Sequence, residues 1–421
     1  MMRKTFAIGM LFLFAVVSSA SAVNIIHMVP DGMSIEALTA ARLVSCGTEA
    51  VRDGSARLNM DRMPEFGYMA CHSLSGWITG SAAAMTAMVT GQKTWLGMIS
   101  QDSTGRRGVR HGKPLETILE IAEKMGMASG IVVTSRVTHA TPASCYAHWY
   151  ERNEENILAE QLVDAGVEVI LGGGRRHFIP GGAKDEEGED SKREDDRDLI
   201  EEMEAKGYTY LWNRKGFEAV HVGSSGKVLG LFENGHMEYE LDRAGDTGGE
   251  PSLAEMTATA IQILSRHEKG FYLMVEGSRI DHAAHANDTM RWIYDTIAFD
   301  QAVGVAIDFA EQDGHTLVIV TPDHVTGGPA INGYWETPDA WKGAYEIWPD
   351  YRDRDGDGYP DNTPRYPVAV GWTSGGHTAE DVPVMAMGPG SAYFRGFLDN
   401  TEVFRAMKAV LSGTMEREEK R

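Results

Sequence analysis

Six short apolar runs punctuate the chain: NIIHMVP (24–30), GIVVTS (130–135), VEVIL (167–171), FYLMVE (271–276), TLVIVT (316–321) and VPVMAM (382–387). Continuous runs of this length, rich in Val and Ile, predict buried strands. Between most of them lie stretches with helical spacing of apolar residues, such as PLETILEIAEKMG, NILAEQLVDAG, LAEMTATAIQILSRH and IYDTIAFDQAVGVAIDFAEQDG. This alternation predicts an α/β fold whose central, mostly parallel sheet is flanked by helices. Ligands of such sheets gather beyond the carboxyl ends of the strands. The chemically suggestive residues stand there: Asp31 after the first run, Thr138, His139 and Thr141 after the second, Glu276 closing the fourth, and Asp323 and His324 after the fifth.

The N-terminus reads MMRK, then FAIGMLFLFAVV, then SSASA, the basic, apolar and small-residue order of a secretory signal. Residues 1–22 are therefore expected to be a signal peptide, and residues 23–421 one catalytic domain, periplasmic or extracellular. No later run is long and apolar enough to span a bilayer, so no transmembrane segment is expected in the mature protein. Two regions read as inserts, the charge run within 183–206 and the Gly-, Pro-, Trp- and Asp-rich stretch 327–372. The charge run is expected to be a solvated loop and helix face.

The chain carries 39 basic and 61 acidic residues, a formal charge of −22; loss of Arg3 and Lys4 with the leader deepens it further. Such a balance argues against a nucleic-acid surface. Only Cys46, Cys71 and Cys145 occur, without a Cys-x-x-Cys pair. No thiolate zinc site is expected, at least one cysteine stays unpaired within a monomer, and all three read as buried small hydrophobes.

Metal chemistry has better candidates. In EGSRIDHAAH, Asp281 and His285 stand four apart, on one face of a helix; VTPDHVTGG sets Asp323 beside His324; SGGHTAED places His377 in a glycine-rich loop; and VPDGM puts Asp31 before a glycine that lets the backbone turn. Carboxylates and imidazoles from several strand ends suit zinc and harder divalent cations. In WITGSAAAMTAMVTG, Ser81 precedes helix-favouring residues. Its hydroxyl should sit where helix amides welcome an anion, or it serves merely as an N-cap.

VPDGM, TGSAAAMTAMVTG, VTHATPASCYAH, VEGSRIDHAAH, VTPDH and SGGHT resemble, in this order, the motifs of the alkaline phosphatases. The resemblance runs from about residue 24 to about 390 and is weakest in the two inserts. It implies a three-layer sandwich with an inserted crown-like region, a homodimer, and hydrolysis of phosphate monoesters through a phosphoserine with two Zn2+ and one Mg2+. By the same resemblance Asp281, His285 and His377 bind the first zinc; Asp31, Asp323 and His324 bind the second beside the nucleophile Ser81. Asp31 bridges to magnesium, held further by Thr141 and Glu276, and Arg152 clamps phosphate. His139 and His282 occupy positions near magnesium where members of the family differ. Gly80 stands where the family pattern has Asp, which leaves the restraint on Arg152 unassigned.

Two other readings compete. SAAAM at 81–85 lacks the Pro and Arg of a sulfatase motif, whereas diesterase activity depends on pocket shape. Asp353, Asp355 and Asp357, followed by Gly358, open like a calcium loop that extends to Asp361, but position twelve is Pro364 and not the closing Glu. That segment is either a structural Ca2+ site or a solvated acidic turn.

Overall fold

The computed structural model describes residues 23–220, 226–332 and 369–414. Ten strands form one sheet: β1 (Asn24–Val29), β2 (Glu65–Ala70), β3 (Ala128–Arg136), β4 (Val169–Gly173), β5 (Tyr208–Leu211), β6 (Lys227–Leu231), β7 (Phe271–Glu276), β8 (Thr316–Val320), β13 (Val382–Met387) and β14 (Gly396–Asp399). Two small ladders complete the strands, β9 (Val325–Thr326) with β12 (His377–Thr378), and β10 (Pro329–Asn332) with β11 (Ala369–Trp372). The order across the main sheet is β14-β2-β13-β8-β1-β7-β3-β4-β6-β5. Every neighbouring pair is parallel except those made by β13, which runs against both β2 and β8.

Each apolar run serves two cores at once. Ile25 and Val29 of β1, Tyr272 and Met274 of β7, and Leu317 and Ile319 of β8 point into one. Helices α2 (Ser81–Thr90), α3 (Ile118–Lys124), α4 (Ala140–Tyr146), α5 (Glu155–Ala165), α6 (Leu199–Ala205) and α11 (Thr401–Ser412) contribute to it. The alternate residues Ile26 and Met28, Leu273 and Val275, and Val318 and Val320 meet the other core. There α1 (Ile35–Arg52), α7 (Arg214–Ala219), α8 (Leu253–Leu264), α9 (Arg279–His285) and α10 (Thr289–Asp313) pack. The strands read as uninterrupted apolar because both faces are covered, and the result is the expected helix–sheet–helix sandwich.

The acidic run is less solvated than its composition predicts. Leu199, Ile200 and Met203 bury one face of α6. Arg193 is buried and pairs with Glu160 at 3.0 Å and with Asp195, while fully buried Arg175 gathers Glu187 at 2.8 Å, Glu186 at 3.3 Å and Asp185 at 3.4 Å. A buried guanidinium needs such partners, so part of the run folds back onto the body. The cysteines also depart from expectation in part: all are free, Cys71 and Cys145 are buried, but Cys46 is only half-buried. Residues 1–22 and the calcium candidates Asp353, Asp355, Asp357 and Asp361 lie outside the described residues. Among those described, no helix is long and apolar enough to cross a membrane.

Candidate active site

Strands β8, β1, β7 and β3 lie side by side and end at one edge of the sheet. Asp31, Glu276, Asp323 and His324 follow or close these strands, and the turn after β3 delivers His139 and Thr141. Because β13 runs the opposite way, the segment before it arrives at the same edge, where His377 opens the short strand β12 and pairs with Thr326 instead of lying in a loop. Short helix α9 supplies Asp281 and His285 one turn apart.

Three ligand sets result: Asp281 with His285 and His377, Asp31 with Asp323 and His324, and Asp31 with His139 and Glu276, the donor atoms of each lying within 4.8 Å of one another. In the first, His285 Nδ1 donates to the Gly375 carbonyl at 2.8 Å and His377 Nδ1 to the Thr79 carbonyl at 2.7 Å. In a neutral ring each Nε2 then carries the lone pair, and the two Nε2 atoms lie 3.1 Å apart. Facing lone pairs repel unless a cation lies between them, and carbonyls that fix the tautomer in this way are typical supports of metal-binding histidines. Asp281 Oδ2 stands 3.4 Å from His285 Nε2. Burial opposes ionisation of Asp281, but the imidazoles of His324, His285 and His377 outweigh it and hold the carboxyl below its usual range.

In the second set, His324 Nε2 lies 3.3 Å from Asp323 Oδ2, 3.6 Å from Asp31 Oδ1 and 3.4 Å from Ser81 Oγ. Its Nδ1 is 3.2 Å from Thr326 Oγ1. Burial first, then Asp323, Asp281 and Glu276, push the Asp31 carboxyl well up. Burial raises Asp323 as well, and lifts Glu276 to about 8. Both oxygens of Asp31, Asp323 Oδ2, Glu276 Oε1, Thr141 Oγ1 and His139 Nδ1 are buried without a hydrogen-bond partner. A divalent cation would satisfy such converging oxygens; nothing in an apolar core would.

Ser81 is the first residue of α2, with Gly80 as N-cap. Its hydroxyl is thus no capping group, which removes the bland reading of this serine. It is buried at the amino end of a helix whose ten residues are all buried. Arg152 donates to His139 Nε2 at 2.9 Å and pairs with no carboxylate among the described residues, leaving the rest of its guanidinium for an anion. Accepting that bond, neutral His139 keeps its proton on Nδ1, so it faces the third set as a donor, suited to a held water more than to a metal. Burial first, then Arg152, keeps the ring neutral by lowering its pKa. His282 joins no ligand set; Arg279 donates to its Nδ1 at 3.1 Å.

Sequence reasoning missed several members. Thr326 Oγ1 donates to Asp281 at 2.5 Å. His236 packs its ring 4.3 Å from His282 and 5.4 Å from His139, and bonds to Arg136, which in turn grips Glu155 at 2.7 Å. Thr138, which the sequence did single out after β3, joins this group by donating to Glu155 at 2.7 Å.

The alkaline phosphatase family model matches residues 22–348 and 355–412. Alkaline phosphatase 3 of Bacillus subtilis is 37% identical over 384 residues, covering 79% of this chain and 77% of that protein. The tissue-nonspecific alkaline phosphatase of Gallus gallus is 35% identical over 330 residues, 72% of this chain and 63% of that one. Among solved structures, the alkaline phosphatase of the Antarctic bacterium TAB5 superposes with a TM-score of 0.74 at 28% identity, over 93% of this chain and 99% of that chain. A variant of the TAB5 enzyme holds magnesium in the site called M3.

Proposed function

Since the chain belongs to the alkaline phosphatase family and is a phosphoric monoester hydrolase, we propose that it works through a phosphoserine on Ser81, with zinc in the first two ligand sets and magnesium in the third. The observation that carries this reading is the pair of histidine Nε2 atoms facing each other beside Asp281, 3.1 Å apart. Imidazole and carboxylate in the first two sets suit zinc. The third set, whose free donors are the oxygens of Asp31, Glu276 and Thr141, suits the harder magnesium.

Bound zinc supplies Lewis acidity at the nucleophile and at the leaving oxygen. The chain's own groups do the rest. The amino end of α2 and the guanidinium of Arg152 hold the phosphoryl oxygens, the latter with a fork geometry suited to two of them. Ser81 Oγ bonds to phosphorus as the bond from phosphorus to the ester oxygen breaks, forming the phosphoserine, and the hydroxyl proton leaves with the alcohol. A water then splits the Oγ–P bond, restoring the hydroxyl and releasing inorganic phosphate. Between turnovers His139 keeps the Arg152 fork aimed at the site, which spares part of the entropy of ordering it.

Export through a cleaved signal at 1–22, to the periplasm or the cell exterior, and a homodimeric assembly belong to the same proposal. Metal analysis of the purified protein, combined with acid quenching during turnover of labelled p-nitrophenyl phosphate, tests the reading. Zinc and magnesium should be recovered with label bound at Ser81. Full turnover after complete removal of divalent metal would overturn it.

A further inference from the structure

Helix α9, which carries Asp281 and His285, ends in a tight reversal: Asn287 N donates to the Ala284 carbonyl at 3.0 Å and Asp288 N to the Ala283 carbonyl at 2.9 Å. This pair of bonds puts the residue after the helix cap in the left-handed region, where glycine is the usual choice. Here the position belongs to Asn287 at φ 53°, which shares a positive φ with Ser100 alone among the described residues other than glycine. Backbone geometry by itself would favour glycine, so it is the asparagine side chain that needs a reason.

The Asn287 amide faces two carbonyl oxygens, those of Ala284 and Ser374, each at 2.9 Å. Carbonyls only accept, so the amide nitrogen donates to both. One bond grips the end of α9 and the other grips the segment that leads to His377. That segment is drawn in on its other side by the Gly327 carbonyl, which accepts from Thr373 N at 3.0 Å and Ser374 N at 3.1 Å, and it is folded on itself by Gly376 N donating to Ser374 Oγ at 2.9 Å. The next carbonyl, that of Gly375, accepts the proton of His285 Nδ1. Consecutive carbonyls are thus tied to Asn287 and His285, and the segment cannot slide along the end of α9 without breaking both bonds.

His377 follows directly, and its Nε2 has to meet that of His285 beside Asp281. We propose that Asn287 is a positioning residue for the first ligand set, holding residues 373–377 against the end of α9 so that the imidazoles of His285 and His377 converge. The proposal rests on the zinc assignment above. Asn287 acts through the segment it holds, by sparing the entropy of ordering it whenever a cation is bound. The residue is exposed, so water replaces the lost bonds in part, and their removal should weaken zinc binding by about threefold to tenfold.

Two variants of the full chain test it. Asn287→Gly keeps the left-handed backbone and removes the amide, while Asn287→Asp keeps the shape and offers only acceptors. The readouts are zinc retained per chain across a chelator titration, hydrogen exchange of residues 373–377 in chelator-stripped protein, and the Tm of that stripped protein. In Asn287→Gly one of the two zinc ions should leave at about threefold to tenfold lower chelator concentration while the other is unmoved, residues 373–377 should exchange faster, and the stripped Tm should move little. Asn287→Asp should speed the same exchange. Unchanged zinc retention, or loss of both ions in step with a lower stripped Tm, overturns the positioning role and leaves the phosphoserine reading intact. So does a change in zinc retention without faster exchange, or the reverse. Wild-type protein that binds no zinc removes the zinc assignment and the positioning role together, whatever label Ser81 takes.

Discussion

Asp31 belongs to two ligand sets at once, so its charge should be a liability without metal and a necessity with it. Its neighbours Asp323 and Glu276 present oxygens within 4.8 Å. Two unit charges at 4.8 Å repel by about 3.5 kcal/mol at an effective dielectric constant of about 20. At a pH alkaline enough to ionise Asp31 together with one or both neighbours, Asp31→Asn therefore relieves roughly 3–7 kcal/mol in chelator-stripped protein. Extrapolated to a chain of this length, 1 kcal/mol moves Tm by about 1–2 °C, so at that pH the stripped variant should melt about 3–14 °C above stripped wild type. Because burial and its neighbours raise the carboxyl's pKa, its contribution to stability is lost as pH rises above the ordinary carboxylate range, and the advantage of Asn should widen toward alkaline pH. With zinc and magnesium added, the order should reverse, since ligand binding to the native state stabilises it and the variant has lost a bridging carboxylate. Differential scanning calorimetry at two pH values, with chelator and with metals, reads all four states. If Asp31→Asn melts lower than wild type in chelator, or if chelator leaves the wild-type Tm unmoved, the metal-binding account of these carboxylates is wrong.

Ser81→Ala should keep its metals but take no acid-stable label from a labelled monoester; label persisting on the protein would reassign the nucleophile. His139→Ala removes the one described partner of the Arg152 guanidinium, and ordering a freed side chain costs about 0.5–1.5 kcal/mol, so inhibition by inorganic phosphate should weaken about threefold to tenfold. Magnesium content, measured alongside, should stay constant if His139 is a donor and not a ligand. Glu250 is buried and its pKa is raised to about 9, chiefly by burial and then by Glu233. Its folded-state proton favours folding at low pH, and that contribution drains away between about 5 and 9 at up to about 1.4 kcal/mol per pH unit. Urea midpoints of metal-stripped protein should fall across this window in wild type and stay flatter in Glu250→Gln; parallel curves would show that Glu250 titrates normally.

What could be read beforehand was whatever is local. The six apolar runs became strands because burial on both faces leaves no polar alternation to confuse, and Asp281 and His285 met because a helix turn is a short-range rule. Strand β2 escaped because its EFGYMA buries only alternate positions, and Phe66 and Tyr68 remain exposed. Strand direction carries no residue signature, so the reversal of β13 was invisible although VPVMAM was plainly a strand. The site followed the same division. Ligands next to strand ends were legible, whereas Arg136, His236 and Arg279 come from a strand terminus, a loop and a helix start. No spacing relates them. Gly80 was legible as a departure, but only the structure shows that its side of the backbone faces Leu96 and His377, while Arg152 takes His139 as its partner.

The β10–β11 ladder pairs Pro329 with Trp372 and closes at Asn332 opposite Ala369. Behind it, Gly327 N bonds to the Gly376 carbonyl at 2.9 Å, and the rings of His324 and His377 stack with centroids 3.7 Å apart. Two histidines far apart in the sequence thus meet at the foot of a short stem, next to the β9–β12 ladder that pairs His377 with Thr326. In engineering terms the stem is a clasp: loosening its four rungs should lengthen the distance between the two imidazoles.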